Sequence, residues 1–480
     1  MALGQDGEEQ VSMFVTHDKL RSAGHVFYDA LDRVLRENGF DRHVEELCRP
    51  FYAPVLGRPG LAPGVYFRCL LIGYFEGIDS ERGIAWRVAD SLSLRRFLRI
   101  SLEARTPDHS TLSKTRKRLS GDVHAQVFTW VLKVLAEHGL LKGKTLGVDA
   151  TTLEANAALR TIVRRDDGRG YAEYLDELVK ADGVENPTRE DRARLDRKRT
   201  KKGSNKDWVH PHDPDAQITK MKDGSTHLAH KAEHAVDLET GAVVSVTLNG
   251  GAEGDTKTIE KTLGEAASNL ADVRENVDDE AKDAVVERIQ EAVADKGYHS
   301  NDVLCDLEAS EIRSYIPEPK RGRRNWEHKP DERDAVYRNR RRMARDKGKR
   351  LQRYRSERVE RSFAHTLETG AMRRVHLRHS DNILKRYLIH VAGFNLGLLM
   401  RKCFGVGTPR SLQGAAALLA PVFVTIATLL RALGALLGRP RQRRGQVGVA
   451  TDRSGGLLGA LVGRMPGLFA FSWGTSSTGS

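Results

Sequence analysis

Apolar residues in VFYDALDRVLRENGF recur at helical spacing, and SERGIAWRVADSLSLRRFL repeats the pattern. With Pro54, Pro59 and Pro63 punctuating the space between, the chain from about Phe14 to Leu119 reads as mostly helical. TPDHSTLSKTRKRL then offers Asp108 or Ser110 as a helix cap, ahead of a helix carrying Lys114, Arg116, Lys117 and Arg118. VHAQVFTWVLKVLAEHGLL is one more apolar helix. After it the period shortens: in TLGVDATTLEANAA, Leu146, Gly147 and Val148 form a strand that closes on Asp149. Aspartate is a poor strand former, so Asp149 is either a turn residue or a carboxylate held at the mouth of a sheet.

From about Arg160 to Lys222 apolar residues are sparse and runs such as DRKRTKKGSNKD dominate, which predicts a long loop or a partly disordered insertion. HLAHKAEHAVDLETGAVVSVTLNGG carries two β-rich runs joined by Glu239, Thr240 and Gly241, a hairpin pattern. DTKTIEKTLGEA is a capped helix, EAVADKGYHS a short strand breaking at Asp295, NDVLCDLEAS a helix and RSYIPE another strand. In RSERVERSFAHTLETG, Val359, Phe363 and Leu367 fall on one apolar helical stripe with Glu360 at its rim. This order predicts an α/β domain, a mixed sheet flanked by helices over about 140–405, preceded by an all-α N-terminal domain over 14–120. The tail, 406–480, is rich in Gly, Arg and Leu and has no assigned role; its end, SWGTSSTGS, reads as disordered.

Composition adds a partner. The 480 residues, 39% hydrophobic, suffice for a sizeable core, and a net charge of +13 suits a polyanion, with an anionic membrane surface as the competing reading. The densest basic stretch lies between Lys320 and Arg361 and includes Arg340, Arg341, Arg342, Lys349 and Arg350. Such a block is either a solvated helix face or a phosphate-binding one. Cys48, Cys69, Cys305 and Cys403 show no C-x-x-C spacing, and MALGQDGEEQ lacks the layout of an export signal, so a reducing cytoplasm is expected. The apolar run from Gly414 to Leu430 approaches the on the order of 20 residues that a membrane span needs. Pro421 within it and Arg431 at its edge favour a buried or partner-binding tail helix, and no membrane is expected.

Asp149, Asp295 and Glu360 are the candidate chemistry. Taken singly, Asp295 could start a turn and Glu360 could offset the charge of its own helix. Together, three convergent carboxylates repel unless cations neutralise them, and hard oxygen ligands with room for water suit Mg²⁺. Two such ions roughly 3.5–4 Å apart activate an attacking oxygen and stabilise a leaving one in phosphodiester displacement.

At this point the motifs resemble those of the DDE transposases of bacterial insertion sequences. GVDATTLEANA is similar to the strand with the family's first aspartate, ADKGYHS to its second-aspartate motif, and ERVERSFAHTLETGAMRR to the helix with its glutamate. The run from Phe67 to Leu119 is similar to the helical domain before the catalytic core. A tyrosine, arginine and lysine spaced around the glutamate in many members fall here on Arg353, Ser356 and Leu367, so that signature is not reproduced.

The resemblance implies an RNase H-like domain, two Mg²⁺ (Mn²⁺ can substitute) held by Asp149, Asp295 and Glu360, and cut-and-join chemistry on double-stranded DNA by at least a homodimer. Expected DNA contacts are Lys114, Arg116, Lys117, Arg118, Arg340, Arg341, Arg342, Lys349, Arg350, Arg358 and Arg361, with Lys231 approaching DNA from the strand after the first catalytic one. A nuclease of the same fold without joining activity, and an inactive DNA-binding remnant, are the alternatives. His227, His230 and His234 could suggest zinc, but on a strand His227 points away from the other two, so a structural role is expected.

Overall fold

The structure, a computed structural model, describes residues 24–412 apart from 55–56, 58, 200–202, 222–223, 321 and 323. The expectations for 14–23 and for the tail beyond 412, including the apolar run from Gly414, fall outside the described residues.

Among the described residues seven α-helices come first: α1 (Val26–Glu37), α2 (Phe40–Cys48), α3 (Pro63–Glu76), α4 (Glu81–Ala89), α5 (Leu92–Phe97), α6 (His109–Arg118) and α7 (Gly121–Glu137). Every residue of α3 from Pro63 to Phe75 is buried, which makes it the axis of the group. Its one buried cation, Arg68, is matched by Asp32 at 2.7 Å and Asp41 at 2.9 Å. Asp108 rather than Ser110 caps α6, its Oδ1 accepting the Thr111 N–H at 2.8 Å.

The chain then builds β1 (Thr145–Glu154) and enters the insertion: β2 (Val163–Arg164), α8 (Tyr171–Ala181), α9 (Arg189–Lys198), β3 (Trp208–Val209) and β4 (Gln217–Lys220). The long hairpin β5 (Thr226–Asp237) and β6 (Val243–Gly250) turns at Gly241, whose φ of 84° favours glycine. There follow α10 (Asp255–Asn276), α11 (Asp279–Ala284), β7 (Glu291–Val293), α12 (Asn301–Ala309), β8 (Arg313–Tyr315), α13 (Pro330–Ala344), α14 (Asp346–Ala364) and α15 (Ser380–Phe404).

The main sheet runs β6-β5-β1-β7-β8, with β4 continuing the β6 side of β5. Strands β6, β5 and β1 are antiparallel in succession, while β1, β7 and β8 are parallel. This is the mixed α/β architecture that the order of elements predicts. Adjacent β5 residues face opposite ways: Glu233 meets Thr258 of α10 and His234 meets Ser362 of α14, so these helices flank the sheet on its two faces. Helix α15 ties the sheet to the N-terminal helices, because Asn395 brackets Val243 of β6 and the buried Arg386 donates to Ile78 O at 2.7 Å. One apolar core therefore runs from Phe27 through the sheet to Met400.

Two expectations need correction. The charged insertion is not a long loop: Ala155, Ile162, Trp208, Ala216 and Leu228 form a small core of their own, backed by Tyr171 and Tyr174. The few apolar residues of this segment converge, and Arg164 spreads over the Tyr174 and Trp208 rings at 5.4 and 5.8 Å, which average composition conceals. Nor does β1 end at Asp149. It continues to Glu154 because β5 pairs with it along that length, up to Glu154 opposite Ala229.

Candidate active site

Asp149 sits where β1 outruns its neighbour. Pairing with β7 stops at Gly147 opposite Val293, so from Val148 the β7 side of β1 has no strand partner until Glu154 bridges Arg374, while β5 supports the other side throughout. Two residues past Val293 the chain reaches Asp295, whose Oδ1 accepts the Gly297 N–H at 2.7 Å and starts a single 3₁₀ turn, Lys296–Tyr298. The parallel register thus sets Asp149, midway along β1, beside Asp295, two residues past the end of β7. Burial pushes the Asp149 carboxyl above its ordinary range, Arg355 and the Ala150 N–H oppose this, and the Asp295 charge adds to it.

Helix α14 crosses this end of the sheet. It packs on Gly147, where a Cβ would lie 3.1 Å from Val359 Cγ2 of α14 and 2.6 Å from Leu238 Cδ2 beyond β5. Arg355, Val359 and Ser362 share the stripe of α14 that faces the sheet. Arg355 Nη1 donates to Asp149 Oδ2 at 2.6 Å, and Ser362 Oγ accepts from His234 Nδ1 at 2.9 Å while donating to Val359 O. Burial lowers the His234 pKa to about 3, so the ring is neutral. Glu360 follows Val359 and is exposed, with Ser356 Oγ donating to it at 3.2 Å. Asp149, Asp295 and Glu360 do not come together with ligand atoms all within 4.8 Å; among the described residues the group that does is Asp213, Asp215 and His379. Those two aspartates already accept the His379 and Ser380 N–H groups at 3.0 and 2.9 Å, capping α15, where the helix dipole disfavours a cation.

Four residues around the carboxylates escaped the sequence reading. Tyr298 donates to the buried Glu233 at 2.6 Å, and the Thr258 and Thr262 hydroxyls donate to the same carboxylate. Burial raises the Glu233 pKa against these bonds, and burial together with the Glu233 charge raises that of Tyr298. Asp255, the first residue of α10, reaches over the DKGY turn: a Cβ on Gly297 would lie 2.6 Å from Asp255 Oδ2 and 3.0 Å from Asp295 Oδ1. Arg355 is the fourth. Its helical spacing to Val359 and Ser362 was a signal, hidden among many arginines.

The basic residues divide by exposure. Lys231 is 5% exposed, and its ammonium is committed to Asp255 at 2.5 Å, Glu253 O at 3.1 Å and Thr258 at 3.2 Å. Arg116 is 6% exposed and ion-paired with Glu81. Both are buried and paired in this structure, unlike the exposed cations expected beside them. Lys114, Lys117, Arg341, Lys349, Arg350 and Arg361 are exposed. Arg118 lies over Tyr52 and Arg358 over Tyr354, at 4.9 and 5.4 Å; Arg340 pairs with Glu318 at 2.6 Å and Arg342 donates to Ser314 O at 2.9 Å. The three histidines do not converge: His227 lies 3.7 Å from Glu154, His230 3.2 Å from Asp213, and His234 holds Ser362.

Asp149 and Asp295, like-charged carboxylates on adjacent parts of the sheet, are hard oxygen donors of the kind a divalent cation takes, while Glu360 lies on the helix that crosses them without converging on them in this structure. Residues 15–118 match the family model of a transposase domain (DUF772). This supports a transposase family and, with it, a DNA-processing function. No curated protein and no solved structure matches the chain. Among the described residues no helix is long and apolar enough to cross a membrane.

Proposed function

We propose that the chain is a DDE transposase with an RNase H-like catalytic sheet, cutting DNA at the ends of an insertion sequence and joining it to a target. The observation that carries this reading is the parallel β1–β7 register that sets Asp149 beside Asp295 where β7 ends. The succession of three antiparallel strands followed by two parallel ones supports the RNase H-like assignment, and the transposase-domain match supports the substrate class.

Asp149, Asp295 and Glu360 would hold two Mg²⁺, which supply activation of the attacking oxygen and stabilisation of the leaving one. In the first step water attacks a backbone phosphorus and the bond to the 3′ oxygen breaks, freeing a 3′ hydroxyl and a 5′ phosphate. In the second, that hydroxyl attacks a target phosphodiester and displaces a target 3′ hydroxyl. Exposed Lys114, Lys117, Lys349 and Arg350 would hold the backbone, and a homodimer would pair the two ends. Buried Glu233, Tyr298 and His234 fix the DKGY turn and α14 against β5, so the carboxylates ride on rigid elements.

The test supplies labelled DNA from the gene's own flanks, ending in a 3′ hydroxyl, with Mg²⁺ and a target plasmid. Joined product is expected. Nicks without joining would instead mark a nuclease, and binding without either reaction a remnant.

A further inference from the structure

Asp149 is not free in this structure. Arg355 Nη1 lies 2.6 Å from its Oδ2, and the Ala150 N–H occupies Oδ1 at 2.8 Å. The pair is sheltered, with 11% of the arginine side chain and 25% of the aspartate side chain exposed, so water screens it little. The guanidinium is also incompletely satisfied: its Nε is buried and has no hydrogen-bond partner. Arg355 makes one strong contact, to the carboxylate that the proposed chemistry requires.

We propose that Arg355 is the resident counter-cation of the active site, a positioning residue that holds Asp149 in the resting protein and competes with divalent metal for the same oxygen. The inference rests on the assignment of Asp149 to the metal site. Its physical basis is that a guanidinium and a divalent ion on one carboxylate oxygen repel, so the metal takes Asp149 only from molecules in which the pair has opened. Apparent metal affinity is then reduced by the fraction of open molecules. Asp255 is held in the same manner by Lys231 at 2.5 Å, so each carboxylate flanking Asp295 carries its own cation at rest.

The test titrates Mn²⁺ into the purified full-length protein without DNA, reading bound metal by its paramagnetic resonance signal. Arg355→Gln is expected to bind Mn²⁺ on the order of tenfold more tightly than the wild type, as when a closed state outnumbers an open one by about that factor. Arg355→Lys, which keeps a charge within reach, is expected to stay near the wild type. The gain should vanish in Arg355→Gln combined with Asp149→Asn. Equal or weaker binding by Arg355→Gln, with Asp149→Asn weakening both backgrounds, would overturn the competition and leave the metal site standing. No effect of Asp149→Asn in either background would overturn both. Circular dichroism on each variant separates these outcomes from unfolding.

Discussion

Tyr298 donates its hydroxyl to the buried carboxylate of Glu233 at 2.6 Å, a bond that pins the turn carrying Asp295 to the central strand β5. Removing the donor leaves a buried carboxylate with its two threonine partners only. Tyr298→Phe should therefore cost about 1–3 kcal/mol of stability and lower strand cutting beyond what that loss explains, since Asp295 lies three residues earlier. Urea unfolding alongside a nicking assay at a temperature where both proteins are folded checks this; full activity would show that the turn holds itself.

Gly147 is demanded by contact rather than by backbone angle. Val359 and Leu238 fill the space where its side chain would be, at 3.1 and 2.6 Å. Gly147→Ala should push α14 off the sheet, destabilising the fold by about 1–3 kcal/mol and loosening the Arg355 contact to Asp149. A chemical-denaturation midpoint unchanged from the wild type would contradict this packing.

His234 gives the fold a pH dependence. Its pKa falls from 6.5 to about 3 on burial, so the unfolded chain binds more protons than the folded one between those values. The stability it contributes is complete above about 6.5 and is lost as pH drops toward 3, with a slope of up to about 1.4 kcal/mol per pH unit. His234→Asn retains an N–H for Ser362 without the titration and should flatten the curve in that window. An unaltered slope would mean that other groups, such as the buried His124, carry the whole effect.

The basic residues should behave as two classes. Neutralising exposed Lys349 and Arg350 should weaken DNA binding across sequences and reduce its salt dependence by about one unit per lost phosphate contact, with little change in stability. Arg116→Ala should instead destabilise the protein by roughly 3–5 kcal/mol, because it strands Glu81 beside a buried helix. Equal effects of the two changes on binding at constant stability would remove the distinction.

Much of this arrangement is legible in the sequence. The strand periods around Asp149 and Asp295, the hairpin at Gly241 and the stripe through Val359 and Phe363 are local patterns, and local patterns survive into the fold. What stayed hidden depends on contacts distant in sequence. Nothing in HKAEH marks Lys231 as the partner of Asp255 or Glu233 as the partner of Tyr298, and composition alone made the inward-facing Arg116 resemble the exposed Lys117. Arg355 was one arginine in a run of many until the helix set it against Asp149. The insertion misled for a related reason: Trp208 meets Tyr171 and Tyr174 only after the chain has folded back, so a count of apolar residues undervalued them.

In the proposed mechanism Asp149, Asp295 and Glu360 act through metal on DNA rather than through the fold. The most direct measurement compares Mg²⁺-dependent nicking and DNA affinity for wild type, Asp149→Asn and Asp295→Asn on DNA from the gene's flanks. The expected result is nicking by the wild type that disappears in both variants while affinity stays within a few-fold, roughly 1 kcal/mol. Undiminished nicking by either variant would contradict the account.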